Sequence, residues 1–151
     1  MSDGSPTAKG RPPASILFLC GQNAIRSPMA EAIAAAHLPR GVLVRSAGIV
    51  RGERDPFVDA VIAEAGLALP DHDPRSLEDM EDDLVDLIVT LSDAAHERAV
   101  ELARTMAVEV EHWPTPDPSL ERGTRDQRMH AYREVRDGLE RRIAERFGLE
   151  T

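Results

Sequence analysis

Alternating strand and helix signals along the 151-residue chain predict an α/β fold, a three-layer sandwich built on a four-stranded parallel sheet. Two observations carry the expectation. Short, mainly apolar strand-like runs recur four times. Between them apolar residues return at helical spacing behind N-cap signals. Connections of that kind lay parallel strands side by side and put helices against the faces of the sheet. The length fits one domain with a substantial core, and no internal repeat breaks it up.

Residues 1–14 hold Ser, Gly, Pro and Lys with almost no large apolar side chain, and read as a disordered tail ahead of a single domain, 15–151. Ile16, Leu17, Phe18 and Leu19 form the first strand run. Ser27 offers an N-cap and Pro28 a first helical residue for a helix over 29–37. Residues 42–44 read as a second strand that enters a turn at Ser46, Ala47 and Gly48. Asp55 caps a helix opened by Pro56 and closed by Gly66. Residues 84–91 are the third strand, and Asp93 caps a helix to about Arg104. A short fourth strand covers 107–110. Residues 113–123 form a loop with three prolines, and a last helix from about Thr124 carries Tyr132, Val135, Leu139, Ile143 and Phe147 on one face.

The formal net charge of −9 speaks against a nucleic-acid surface, because phosphate backbones are held by basic patches. A small anion bound in a locally positive pocket is compatible with it. The longest early apolar run is far too short for a membrane span or a signal-peptide core, so no membrane partner is expected and the cytoplasm is the expected compartment. Cys20 is the single cysteine, which forbids an internal disulfide. His37, His96, His112 and His130 show no paired ligand spacing, so no metal is expected, and no cofactor.

Ligands of such sheets bind at the carboxyl ends of the strands, and Cys20 stands at the end of the first. The segment Cys20, Gly21, Gln22, Asn23, Ala24, Ile25, Arg26, Ser27 sets a cysteine and an arginine six positions apart across a loop that runs into a helix. Inward N–H groups of such a loop bind phosphate oxygens, and the planar fork of Arg26 matches two of them. A thiolate at Cys20, stabilised by the helix dipole, the loop amides and Arg26, is then placed to attack phosphorus. Ser27 has a hydroxyl to give to that thiolate, to the helix start, or to both. The plain alternative is a small buried apolar cysteine.

Cys20, Asn23 and the run Arg26, Ser27, Pro28, Met29, Ala30, Glu31, Ala32 resemble the opening of the low-molecular-weight protein tyrosine phosphatases, which arsenate reductases of the same fold share. The likeness continues at Ser46-Ala47-Gly48, at Ala65-Gly66, at His72 and Arg75, at residues 91–93, at Asp117-Pro118 and along the last helix. It implies phosphomonoester hydrolysis through a phosphocysteine on Cys20. Arg26 and the amides of residues 21–27 would hold the phosphoryl oxygens, and Asp117 would protonate the leaving oxygen. Read from the residues alone, Asp117-Pro118 is an ordinary turn; the resemblance makes it the general acid. By the same resemblance Asn23, Ser27, Ser46 and His72 brace the loop, while for His72 an exposed loop histidine stays open. The implied partners are a phosphorylated protein or small phosphomonoester, with phosphate, arsenate and vanadate as inhibitory oxyanions.

Three departures stand out. Gln22 occupies a place where the family usually has glycine, so a positive φ there would cost roughly 1 kcal/mol unless Gly21 takes it instead. Ile25 stands where a second cysteine is usual. Gly52 and Ser119-Leu120 replace the aromatic residues that flank the substrate, which leaves a phosphotyrosine ring few stacking partners. The stretch 113–118 and the last helix look closer to the arsenate-reductase branch. Without a second cysteine, a reductase would need an external thiol and a glutaredoxin-like partner. A phosphate- or phosphoprotein-binding module with a decayed site is the non-enzymatic alternative.

Overall fold

The computed structural model describes residues 13–70, 73–80 and 85–149; the expected tail therefore lies almost wholly outside the described residues. The elements run β1 (Ser15–Cys20), α1 (Arg26–His37), β2 (Leu43–Gly48), α2 (Pro56–Glu64), β3 (Leu87–Thr90), α3 (Asp93–Ala103), β4 (Glu109–His112) and α4 (Arg125–Phe147), with 3-10 turns at Leu77–Met80 and Pro118–Leu120. The four strands form one sheet in the order β2-β1-β3-β4, every neighbouring pair parallel. The α/β sandwich expected from the sequence is the fold observed. Among the described residues no helix is long and apolar enough to cross a membrane.

Alternation along the strands divides the core between two faces. Ile16, Phe18, Cys20, Leu87 and Val89 join the buried side chains of α1, α2 and α4. Leu17, Leu19 and Ile88 turn the other way, onto Ala95 and Ala99 of α3 and onto Met80. A period of two on a strand makes this division automatic. In α1 every residue from Ser27 to Ala34 is buried, and its alanines let the helix lie close to β1 and β2. The predicted stripe of α4, from Tyr132 to Phe147, is buried throughout. Thr124 caps that helix in a reciprocal box with Gln127, and Gly148 ends it at φ 67°.

Several local expectations give way. Ser46, Ala47 and Gly48 are not a turn: they extend β2 and pair with Phe18, Leu19 and Cys20. Ladder hydrogen bonds to β1 override the turn tendency of the small residues. Helix α1 starts at Arg26, with Ile25 at the N-cap and no side-chain cap. Ser27 therefore lies inside the first turn, where Pro28 is harmless because first-turn N–H groups lack an intrahelical acceptor. Ser92, not Asp93, caps α3, accepting from the N–H of Ala95. Strand β4 falls at 109–112 rather than 107–110. Leu84, the expected start of β3, lies outside the described residues.

Candidate active site

The chain leaves β1 at Cys20 and turns through residues 21–25 into α1. The N–H groups of residues 21–27 donate no hydrogen bond to another described residue, an arrangement suited to an anion because unpaired backbone donors bind one without reorganising. Asn23 is the only described non-glycine residue with positive φ, at 56°. Neither Gln22 nor Gly21 carries that conformation, so the strain expected at one of them falls on asparagine, which tolerates it well.

The Asn23 side chain is buried, with both amide protons donated and its oxygen accepting once. Its Nδ2 donates to Ser27 Oγ at 2.9 Å and to Ser46 Oγ at 3.0 Å, and its Oδ1 accepts from the N–H of Arg75 at 2.9 Å. Two donated protons fix the direction of the rest. Ser46 passes its own proton to the carboxylate of the buried Glu31. Ser27 is left with a proton for Cys20 Sγ at 3.0 Å or for the carbonyl of Ala47 at 3.3 Å. A thiolate wins that competition, since a charged acceptor makes the stronger bond. Arg75 closes the ring of contacts by donating from Nε to the carbonyl of Ser46 at 3.0 Å.

Gly48 lies directly behind the loop. A β-carbon there would stand 2.5 Å from the backbone N of Asn23 and 2.5 Å from the carbonyl carbon of Gln22. In front, Ile49, Val50 and Gly52 donate their N–H groups to the carbonyls of Cys20, Gly21 and Gln22 at 3.0, 3.0 and 2.8 Å. The loop's carbonyls are thereby turned outward onto the segment after β2.

Arg26 reaches across to the third component. Its Nη1 donates to the carbonyls of Thr115, at 2.9 Å, and Leu91, at 3.5 Å. Beyond β4 the N–H groups of Trp113 and Thr115 continue onto the carbonyls of Thr90 and Leu91 at 2.8 and 3.1 Å, so the proline-rich loop leaves the sheet edge only after Thr115. Trp113 is buried against Phe18, ring centroids 6.0 Å apart. Asp117 then caps the turn Pro118–Leu120: its Oδ1 accepts from the N–H and hydroxyl of Ser119 at 2.9 and 2.6 Å.

The rival pair, Asp55-Pro56, has a structural task. Asp55 accepts from the N–H of Phe57 at 2.9 Å as the cap of α2, and from the hydroxyl of Tyr132 at 2.6 Å. Burial, followed by this bond to a carboxylate, pushes the Tyr132 hydroxyl well above the usual tyrosine range.

Of the residues expected at the site, 20–27 form one loop whose Cys20, Asn23 and Ser27 share a buried network with Ser46, and Arg26 joins them to the segment carrying Asp117. His72 lies outside the described residues. The sequence reading assigned no role to Glu31, Gly48 or Arg75. All three did stand within the matched motifs; for Glu31 a charged residue in the middle of the apolar face of α1 was the available signal.

Residues 15–147 match the family described as low molecular weight phosphotyrosine protein phosphatase. An arsenate reductase of Bacillus licheniformis is 33% identical, the match covering 85% of this chain and 91% of that protein. A low molecular weight protein-tyrosine-phosphatase of Streptomyces coelicolor is 36% identical over 83% of this chain and 82% of its own length. Among solved structures, an arsenate reductase of Archaeoglobus fulgidus superposes with a TM-score of 0.70 at 29% identity, covering 88% of this chain and 98% of the other.

Proposed function

The chain belongs to the low molecular weight phosphotyrosine protein phosphatase family, and we propose that it hydrolyses phosphomonoesters through a phosphocysteine formed on Cys20. The contact that carries this reading is the 3.0 Å approach of Ser27 Oγ to Cys20 Sγ beneath a loop of unpaired N–H groups. A serine whose oxygen already accepts from Asn23 has its proton free for sulfur. A mere apolar cysteine would need no such donor.

In the first step the Cys20 thiolate attacks phosphorus and forms the S–P bond while the bond to the leaving oxygen breaks. Asp117 gives that oxygen its proton, so an alcohol departs instead of an alkoxide. The three equatorial oxygens are held by the N–H groups of residues 21–27 and by Arg26, donors positioned before the charge develops. In the second step Asp117, now a carboxylate, takes a proton from water as its oxygen attacks phosphorus. The S–P bond breaks, and inorganic phosphate and the thiolate are released. Nothing in these steps calls for a metal or cofactor. Substrates are a phosphorylated protein or a small phosphomonoester, and phosphate, arsenate and vanadate compete for the same loop.

Hydrolysis of para-nitrophenyl phosphate tests the proposal. Turnover that disappears in Cys20→Ser and is inhibited competitively by vanadate and arsenate supports it. A folded protein with no turnover overturns it.

Five of the relatives, 31–33% identical, are called arsenate reductases or putative arsenate reductases, which favours arsenate reduction as the second reading. With one cysteine in the chain, the electrons would have to come from an external thiol. Arsenate turnover that requires an added thiol, without aryl phosphate hydrolysis, distinguishes it.

A further inference from the structure

Gln22 and Gly52 are coupled. A β-carbon on Gly52 would stand 2.6 Å from Cβ of Gln22, 2.9 Å from its Oε1 and 3.0 Å from its carbonyl oxygen, and the N–H of Gly52 donates to that carbonyl at 2.8 Å. The Gln22 side chain thus fills the space that a side chain at 52 would take. It does so from within the anion-binding loop, and Gln22 itself is exposed. Residues 22 and 52 cannot both carry large side chains. In this chain the side chain exposed at that point of the loop is a primary amide.

No ring is left to take the amide's place. The chain has three phenylalanines, one tryptophan and one tyrosine. Phe18, Trp113, Tyr132 and Phe147 are buried. Phe57 is partly buried, with Tyr132 at 5.1 Å between ring centroids and the guanidiniums of Arg128 and Arg125 at 4.7 and 5.9 Å from its own. Among the described residues a phosphorylated aromatic side chain would therefore find no exposed Phe, Tyr or Trp ring to stack on, whereas an amide donates and accepts hydrogen bonds.

We infer that Gln22 is a specificity-determining residue, its amide favouring phosphoryl substrates whose leaving group is aliphatic and flanked by hydrogen-bonding atoms over those whose leaving group is an aromatic ring. The inference rests on the phosphatase reading of the same site and adds its substrate class.

Two peptides of one sequence, phosphorylated on serine or on tyrosine, test it with Gln22→Met and with the exchanged pair Gln22→Gly, Gly52→Trp. Methionine keeps the length and removes the amide. It lowers kcat/KM on the phosphoserine peptide relative to the phosphotyrosine peptide by roughly fivefold, the worth of one neutral hydrogen bond. The exchanged pair shifts the ratio toward phosphotyrosine by roughly fivefold or more, the worth of one aromatic contact. Gly52→Trp alone loses activity on both peptides, and Gln22→Gly restores it. Parallel changes on both peptides in Gln22→Met, or an exchanged pair with no gain on phosphotyrosine, overturn the assignment. The same ratios read as Kd in a Cys20→Ser background separate the two levels: selective binding without turnover in the parent refutes the phosphatase reading and leaves the amide's role standing.

Discussion

Nη1 of Arg26 donates to the carbonyl oxygen of Thr115 at 2.9 Å, so the side chain at the end of the loop after β1 also grips the segment leading to Asp117. With the longer contact to the carbonyl of Leu91 this bond occupies Nη1 alone, and Nε and Nη2 are left for an oxyanion. A lysine is a point charge without that geometry and cannot serve both sides. Arg26→Lys is expected to lower kcat/KM on para-nitrophenyl phosphate by about 100-fold while the far-UV circular dichroism is unchanged. A lysine variant within a few-fold of the parent would remove the fork from the mechanism.

Gly48→Ala puts a β-carbon 2.5 Å from backbone atoms of Gln22 and Asn23. No rotamer change relieves a clash with backbone, so the loop itself must move. Overpacking of this kind costs about 1–3 kcal/mol, and a loop displaced by about 1 Å forfeits about 100-fold in rate. Urea unfolding and steady-state kinetics on the same preparation measure both effects. Full activity in the alanine variant would show that the loop does not rest on Gly48.

The contrast between Gly48 and Cys20 shows what was legible in the sequence. Cys20 to Arg26 is contiguous, and a loop from strand end to helix start could be read from residue types and spacing, as could the buried stripe of α4. Gly48 was read as part of a turn because its constraint comes from Asn23, 25 residues away in the chain, across a strand pairing that no local pattern announces. Glu31 and Arg75 escaped for the same reason: their partners, Ser46 and Asn23, are set by the packing of α1 against β2. For Asp117 the residues alone gave an ordinary Asp-Pro turn, and the turn it caps is observed; the acid role comes from the resemblance. Gln22 and Gly52 were each noticed as departures, but that one compensates for the other is a fact of three dimensions.

Asn23 combines a left-handed backbone with three buried hydrogen bonds, and two substitutions separate these. Asn23→Gly keeps the φ and loses the bonds; Asn23→Ala loses the bonds and pays for the φ as well. Both leave the N–H of Arg75 without its acceptor and take from the hydroxyl oxygens of Ser27 and Ser46 the protons they accept, so each variant is destabilised by about 2 kcal/mol or more. Alanine is expected to be worse than glycine by a further ~1 kcal/mol. Equal urea midpoints for the two variants would show that the backbone conformation at 23 is not a constraint.

Asp117→Asn keeps the cap of the following turn, because an amide oxygen still accepts from the N–H of Ser119. It removes the proton that the leaving oxygen needs. The expected result is a kcat lower by roughly 100-fold or more, with the inhibition constant for phosphate nearly unchanged. The loss should be smaller on para-nitrophenyl phosphate than on phenyl phosphate, whose phenolate leaves less readily without a proton. Equal losses on the two esters would give Asp117 a structural role only.

Glu64 ties α2 to α4 by accepting from Arg133 at 2.8 Å and from Arg136 at 2.9 Å. These hydrogen bonds, Arg133's first, hold its carboxyl down to about 2 from an ordinary 4.5. A carboxyl whose pKa is depressed in the folded state contributes stability that is complete above the unfolded value and lost as pH falls toward the folded one. The contribution is therefore whole at pH 6, begins to fade near 4.5 and is gone at about 2. Glu64→Gln should unfold at lower urea than the parent at pH 6, and the gap between the two midpoints should narrow steadily from pH 5 to pH 3. Because the pair is exposed and screened by salt, the gap at pH 6 should also shrink between 50 mM and 500 mM sodium chloride. A gap independent of pH would mean that glutamine costs stability through packing, with the charge on Glu64 playing no part.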